Sequence, residues 1–157
     1  MHKAASQMSP REHAIDLLAR REYGREELRG RLLAKGHALE DIDQALEALA
    51  DQGLQSDRRF AESFLRGRLM RGQGPVKMLA ELGQRGVDRA LAREALAELE
   101  REESVDWYRL ASEALERRFG RELPADARER ARRERFLAGR GFDFDQVREA
   151  IRALGDD

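Results

Sequence analysis

The sequence predicts an all-α fold built from three tandem three-helix repeats, and three observations carry that reading. Apolar residues recur at helical spacing in nine short runs, each closed by a glycine, a proline or a polar break. The pairs Lys35-Gly36, Arg85-Gly86 and Arg140-Gly141 stand 50 and then 55 positions apart, and Leu32, Leu82 and Leu137 keep the same offsets. So do Ala45, Ala95 and Ala150, then Leu46, Leu96 and Ile151, then Leu49, Leu99 and Leu154. The third observation is composition: 39% charged and 6% aromatic residues among 157 suit several thin cores better than one deep one. Repeats of this length stack so that each touches its neighbours. The expected organisation is a disordered tail over residues 1–8 and repeats over 9–54, 55–102 and 103–157.

In the first repeat, Ser9 is placed to cap a helix that has Pro10 first and Glu12 at the capping-box position. Ala14, Leu17, Leu18 and Arg21 share its face, and Tyr23-Gly24 is expected to close it. Glu27, Leu28 and Leu32 mark a second helix ending at Lys35-Gly36. Ile42, Ala45, Leu46 and Leu49 mark a third, ending near Gly53.

The second repeat opens with Ser56 as a cap. Phe60, Ala61, Phe64 and Leu65 form its first stripe, with Arg59, Arg66, Arg68 and Arg71 largely off it. Gly72-Gln73-Gly74-Pro75 ends that helix and starts the next, whose stripe is Met78, Leu79 and Leu82. Lys77 and Arg85 fall outside the stripe, and Gly86 suits a left-handed helix end.

The third repeat departs from this pattern. A helix from about Ser104 to Phe119 carries Trp107, Leu110, Ala111, Ala114 and Leu115. The linker then lengthens through Arg121-Glu122-Leu123-Pro124. The next helix is dense in arginine, and Arg133 takes the place held by Leu28 and Met78. That substitution implies a face less buried than in the sister repeats, or one turned to a partner. Asp143 with Gln146 reads as a cap pair for the last helix.

Several chemistries are excluded. Without cysteine there are no disulfides and no thiolate metal sites. His2, His13 and His37 show no ligand spacing and read as surface residues. The carboxylates sit on solvated helix faces and at caps, and no nucleophile stands with a base. Gly72-Gln73-Gly74 lacks the preceding strand and the Lys-Ser/Thr ending of a phosphate loop. No apolar run reaches membrane-spanning length, and Met1 to Met8 lacks the apolar heart of a signal peptide. The expectation is a non-enzymatic, cytoplasmic monomer with no cofactor, no metal and no membrane association.

Charge is the informative feature. The formal net charge is -1, yet residues 38–57 carry Glu40, Asp41, Asp43, Glu47, Asp51 and Asp57 with no lysine or arginine. The stretch that follows carries Arg66, Arg68, Arg71, Lys77 and Arg85, scarcely balanced by acids nearby in sequence. Such segregation points to an anionic partner, either nucleic acid phosphates or an acidic protein surface.

The run Asp57-Arg58-Arg59-Phe60-Ala61-Glu62-Ser63-Phe64, then Arg68, Gly72-Gln73-Gly74-Pro75, Glu81-Leu82 and Gly86, resembles the central signature of the bacterial RecX family. Ala14 to Tyr23, Glu27-Leu28 and Lys35-Gly36 fit the family's first repeat, and the likeness extends from Pro10 to Leu154. The resemblance implies an elongated, curved body of three-helix repeats that binds RecA filaments on DNA and limits filament growth. It implies depressed ATP hydrolysis and strand exchange, with no catalytic residues on this chain. The family's basic central face maps to Arg66, Arg68, Arg71 and Lys77, with Arg85 nearby. Asp57, Phe60, Phe64 and Leu82 map to structural positions, and Gly86 to a helix end. An independent helical DNA-binding protein, acting without RecA, is the alternative.

Overall fold

The computed structural model describes residues 7–156, and the secondary structure there is helical. The expected tail falls outside the described residues except for Gln7 and Met8, as does His2. Among the described residues nine helices follow one another: α1 (Pro10–Leu18), α2 (Arg25–Ala34), α3 (Leu39–Asp51), α4 (Asp57–Met70), α5 (Pro75–Gln84), α6 (Arg89–Glu102), α7 (Trp107–Phe119), α8 (Ala127–Arg140) and α9 (Phe144–Ala153). The chain forms two compact units. One holds residues up to Ser63 together with Leu82–Ala92, and the other holds Phe64–Glu81 and the residues from Arg93 onward.

The repeat offsets have one physical cause. Gly36, Gly86 and Gly141 all adopt positive φ, at 91°, 82° and 103°. The residue after each glycine returns its N–H to the leucine carbonyl five positions back: His37 to Leu32, Val87 to Leu82 and Phe142 to Leu137, at 3.1–3.3 Å. This is the Schellman closure, in which the left-handed glycine lets the chain turn back and satisfy an orphan carbonyl. Leu32, Leu82 and Leu137 are fully buried at the point of return. The spacing in the sequence is therefore the spacing of three identical helix stops.

In the first unit, α1, α2 and α3 pack on one another around Ala14, Tyr23, Leu28, Leu32, Ile42, Leu46 and Leu49, with Leu17 and Leu18 at the edge. Ser9 accepts from the Glu12 N–H at 3.1 Å in a complete capping box. The closing role expected for Tyr23-Gly24 is corrected. Helix α1 ends at Leu18, Tyr23 is a buried core residue of the following loop, and Gly24 stands at the start of α2. Because a glycine cap has no side chain, other carboxylates serve it. Glu27 accepts from the Gly24 N–H at 3.2 Å, and Asp57 accepts from the Arg25 N–H at 2.8 Å. The acidic face of α3 is partly neutralised from α2, where Arg29 reaches Asp43 at 3.1 Å and Arg25 reaches Glu47 at 3.2 Å.

In the second unit, α7 packs on α9 and α8. Trp107, Ala111, Leu115, Leu137, Phe142, Val147, Ala150 and Ile151 are buried there, as are Leu65 and Met78. Helix α7 starts at Trp107 rather than near Ser104, because Asp106 caps it through the N–H groups of Tyr108 and Arg109. Asp143 and Gln146 exchange the two bonds of a capping box at the head of α9.

Arg133 corrects a second expectation. Its place in the core pattern is neither opened to solvent nor turned outward, and the residue is 5% exposed. The stem fills the position, while the guanidinium donates to the Glu122 carbonyl at 2.6 Å and lies 3.4 Å from Glu129. It also sits 5.3 Å from the Phe119 ring centroid. The lengthened linker after Phe119 supplies the acceptor that makes a buried arginine tolerable.

Candidate partner-binding surface

The cations of α4 and α5 look alike in sequence and differ in place. Arg66 is held by Glu102 and Glu103, the latter at 2.9 Å, and the hydrogen bond it donates to Glu102 raises its pKa above the ordinary value. Arg68 lies off the apolar stripe in sequence, yet its side chain is 18% exposed. It pairs with Glu81 at 3.0 Å and covers the Phe64 ring at 4.6 Å from the centroid. Phe64 is accordingly half-buried under a guanidinium, and the fully enclosed residue of that turn is its neighbour Leu65. Arg85 donates to Glu27 at 3.0 Å, on the same carboxylate that Arg21 approaches at 3.4 Å.

Arg71 and Lys77 are different. Both are exposed, and neither forms an ion pair among the described residues. The expectation that five cations are scarcely balanced therefore holds for these two alone. Arg66 and Arg85 find carboxylates far along the chain, out of sight of a local charge count, while Arg68 pairs with Glu81 within the same stretch.

The residues mapped to structural positions are placed as follows. Asp57 caps α2 and also accepts from the buried Gln55 amide at 2.9 Å. Phe60 is 3% exposed and lies under Gly24, where an added Cβ would meet its ring at 3.1 Å. Leu82 is fully buried, and Gly86 leaves room for Glu26, whose Cγ would stand 2.4 Å from an added Cβ.

Arg71 belongs to a cleft of about 380 Å³ that the sequence did not reveal. The end of α4 and the turn after it contribute Leu69 to Gln73. Helix α7 adds Leu110, Glu113, Ala114, Arg117 and Arg118, and α8 adds Phe136 and Arg140. A backbone seam fixes the turn against the end of α8: the Gly74 N–H donates to the Arg140 carbonyl at 2.8 Å, and the Val76 N–H to the Gly141 carbonyl at 2.9 Å. A Cβ on Gly74 would lie 2.4 Å from the Gly141 carbonyl carbon, so only glycine permits this approach.

The histidines were expected at the surface, and His13 is not. It is 7% exposed, and its Nδ1 lies 2.5 Å from Nε2 of His37. Burial lowers its pKa, with His37 and then Lys35 acting in the same direction. The pair is 24 residues apart, so no ligand-type spacing could disclose it. Among the described residues no group of three or more His, Cys, Asp or Glu is arranged to hold a metal ion. No described helix is long and apolar enough to cross a membrane.

Comparison with known proteins places this arrangement in a family. Three family signatures match in order: RecX first three-helix domain over residues 11–49, second three-helix domain over 56–96 and third three-helix domain over 105–151. The chain is 59% identical over 149 residues to the regulatory protein RecX of Chromohalobacter salexigens, covering 94% of each chain. It is 46% identical over 153 residues to that of Halorhodospira halophila, covering 98% of this chain and 92% of the relative. The crystal structure of RecX from Lactobacillus salivarius superposes with a TM-score of 0.71 at 23% identity, covering 92% of this chain and 94% of that one. With all three domain signatures in order and close relatives matched over nearly their full length, the chain belongs to the RecX family of regulatory proteins.

Proposed function

We propose that this protein binds RecA filaments assembled on DNA and restrains them, lowering ATP hydrolysis, filament extension and strand exchange in recombination and repair. Family membership is the observation that carries the reading, since the relatives matched over most of their length are named as regulatory proteins. The exposed cations Arg71 and Lys77 support it as the available part of the basic face, because an ion pair already satisfied within the chain has little to offer a partner. Arg66, Arg68 and Arg85 serve in this reading chiefly to hold helices in place. The role is non-catalytic, needs no cofactor and is exercised in the cytoplasm by a monomer.

The deciding experiment is RecA-dependent ATP hydrolysis on single-stranded DNA, with this protein added after filament assembly. Hydrolysis falls at fewer molecules of this protein than of RecA. Unchanged hydrolysis at every ratio overturns the proposal. Equal affinity for bare DNA and for the RecA filament favours the independent DNA-binding reading instead.

A further inference from the structure

The cleft between the α4–α5 turn, α7 and α8 carries a reading beyond that of filament binding. Arg71, Arg117, Arg118 and Arg140 reach it from three different elements, and among the described residues Glu113 is the one acidic residue lining it. Glu113 already faces Arg109 at 3.7 Å. The floor and lip are apolar, and Met70 at the lip is 89% exposed. So large an exposure of an unbranched thioether beside a basic cleft is the composition of an adaptable contact surface.

Two classes of polyanion suit four arginines, and the aromatic residue separates them. Binding of single-stranded nucleic acid uses exposed rings as stacking platforms for bases. Phe136, the cleft's aromatic residue, is engaged on several sides. Phe119 meets it edge-on at 5.4 Å, and the Arg118 and Arg140 guanidiniums lie 6.0 Å and 5.5 Å from its centroid. No ring is left for a base, and a phosphate track has no use for an apolar floor. A peptide whose carboxylates flank a bulky apolar side chain satisfies both halves. Its acids meet planar guanidiniums, and its apolar residue covers Met70 and the floor.

We infer that this cleft is a docking site for an acidic peptide segment of a partner protein, with Arg117 and Arg140 as anion contacts and Met70 as the apolar contact. The site shares Arg71 with the filament-binding face proposed above but excludes Lys77, and it does not depend on RecA or DNA being present.

The test uses the full chain and fluorescence anisotropy with three labelled probes: a synthetic peptide alternating glutamates and leucines, the same peptide with serine for leucine, and a thymidine oligonucleotide of equal charge. The leucine-bearing peptide binds tightest. Arg117→Glu weakens it by about tenfold or more, the size of one charge-assisted contact. Met70→Ser removes its advantage over the serine peptide. Both changed residues are exposed, so circular dichroism remains that of the native chain. No binding of the leucine peptide overturns the inference. So does equal binding of the two peptides, or an oligonucleotide that binds tighter and is the probe lost in Arg117→Glu, which marks the cleft as a nucleic-acid site. Because no RecA is present, a failure here is separate from a failure of the filament proposal.

Discussion

The Arg133 guanidinium donates to the main-chain carbonyl of Glu122 across 2.6 Å, from a place that is occupied by Leu28 in α2 and Met78 in α5. A buried charge thus stands where the other two repeats have an apolar side chain, made tolerable by one carbonyl and the nearby Glu129 carboxylate. Arg133→Ala loses the stem's packing and leaves a cavity, at a cost of about 2–4 kcal/mol. Arg133→Met restores the apolar form of the position and stays within about 1 kcal/mol of the native chain. Urea unfolding of both variants checks this. Equal losses would show that the charge, rather than the packing of the stem, is what matters.

Stability is expected to fall on mild acidification. Burial, His37 and Lys35 hold His13 below its ordinary value of 6.5, against weaker opposing influence from Asp16 and Glu12. As pH drops through about 6.5 the unfolded chain takes up a proton at this residue, while the folded chain resists until lower pH. The stabilisation is therefore complete above that value and is lost progressively below it. Melting temperatures between about pH 7.5 and about pH 5.5 should decline more steeply in the native protein than in His13→Met. Equal slopes would remove His13 as the cause.

Substitution at two glycines should act in opposite directions. Gly74→Ala drives a Cβ to within 2.4 Å of the Gly141 backbone, where no side chain can yield. The cost is about 3 kcal/mol or more if the seam is forced apart. Gly139, inside α8, has nothing within 4 Å of an added Cβ, and Gly139→Ala should gain about 0.5–1 kcal/mol from helix propensity. Thermal melts of the two variants give the comparison, and a neutral Gly74→Ala would mean that the two backbones do not meet in solution.

Arg68 and Lys77 should separate stability from partner binding. Arg68→Ala removes the Glu81 pair and uncovers Phe64, costing about 1–2 kcal/mol. Lys77→Glu changes an exposed residue and should leave the melting temperature nearly unchanged, within about 0.5 kcal/mol. It should nonetheless weaken the effect on RecA hydrolysis. The reverse pattern would move the binding face away from Lys77.

What the sequence disclosed follows from distance along the chain. The helix stops at Gly36, Gly86 and Gly141 and the caps at Ser9 and Asp143 are contacts within a few residues, so composition and spacing reveal them. The partners of the basic face are not of that kind. Arg66 meets acids 36 and 37 residues away, Arg85 meets one 58 away, and each appears unbalanced until the chain is folded. The same reason hid the His13–His37 pair and the arginine cleft, whose members come from three helices and a turn. Arg133 was visible as an anomaly, but its resolution lay in a main-chain carbonyl, which no residue identity encodes.

The seam between Gly74 and the end of α8 has a consequence for recognition. Arg71 stands three residues before one end of it, and Arg140 supplies the acceptor carbonyl at the other. Two arginine side chains thus spring from anchors that main-chain hydrogen bonds hold together before any ligand arrives, and the Arg140 guanidinium already donates to the Arg71 carbonyl at 3.4 Å. An incoming anion has only the outer torsions of these arginines to order, while the walls are already in place. Much of the entropic cost of shaping the cleft is met during folding, so even a short, weakly structured segment can bind without first closing the walls around itself.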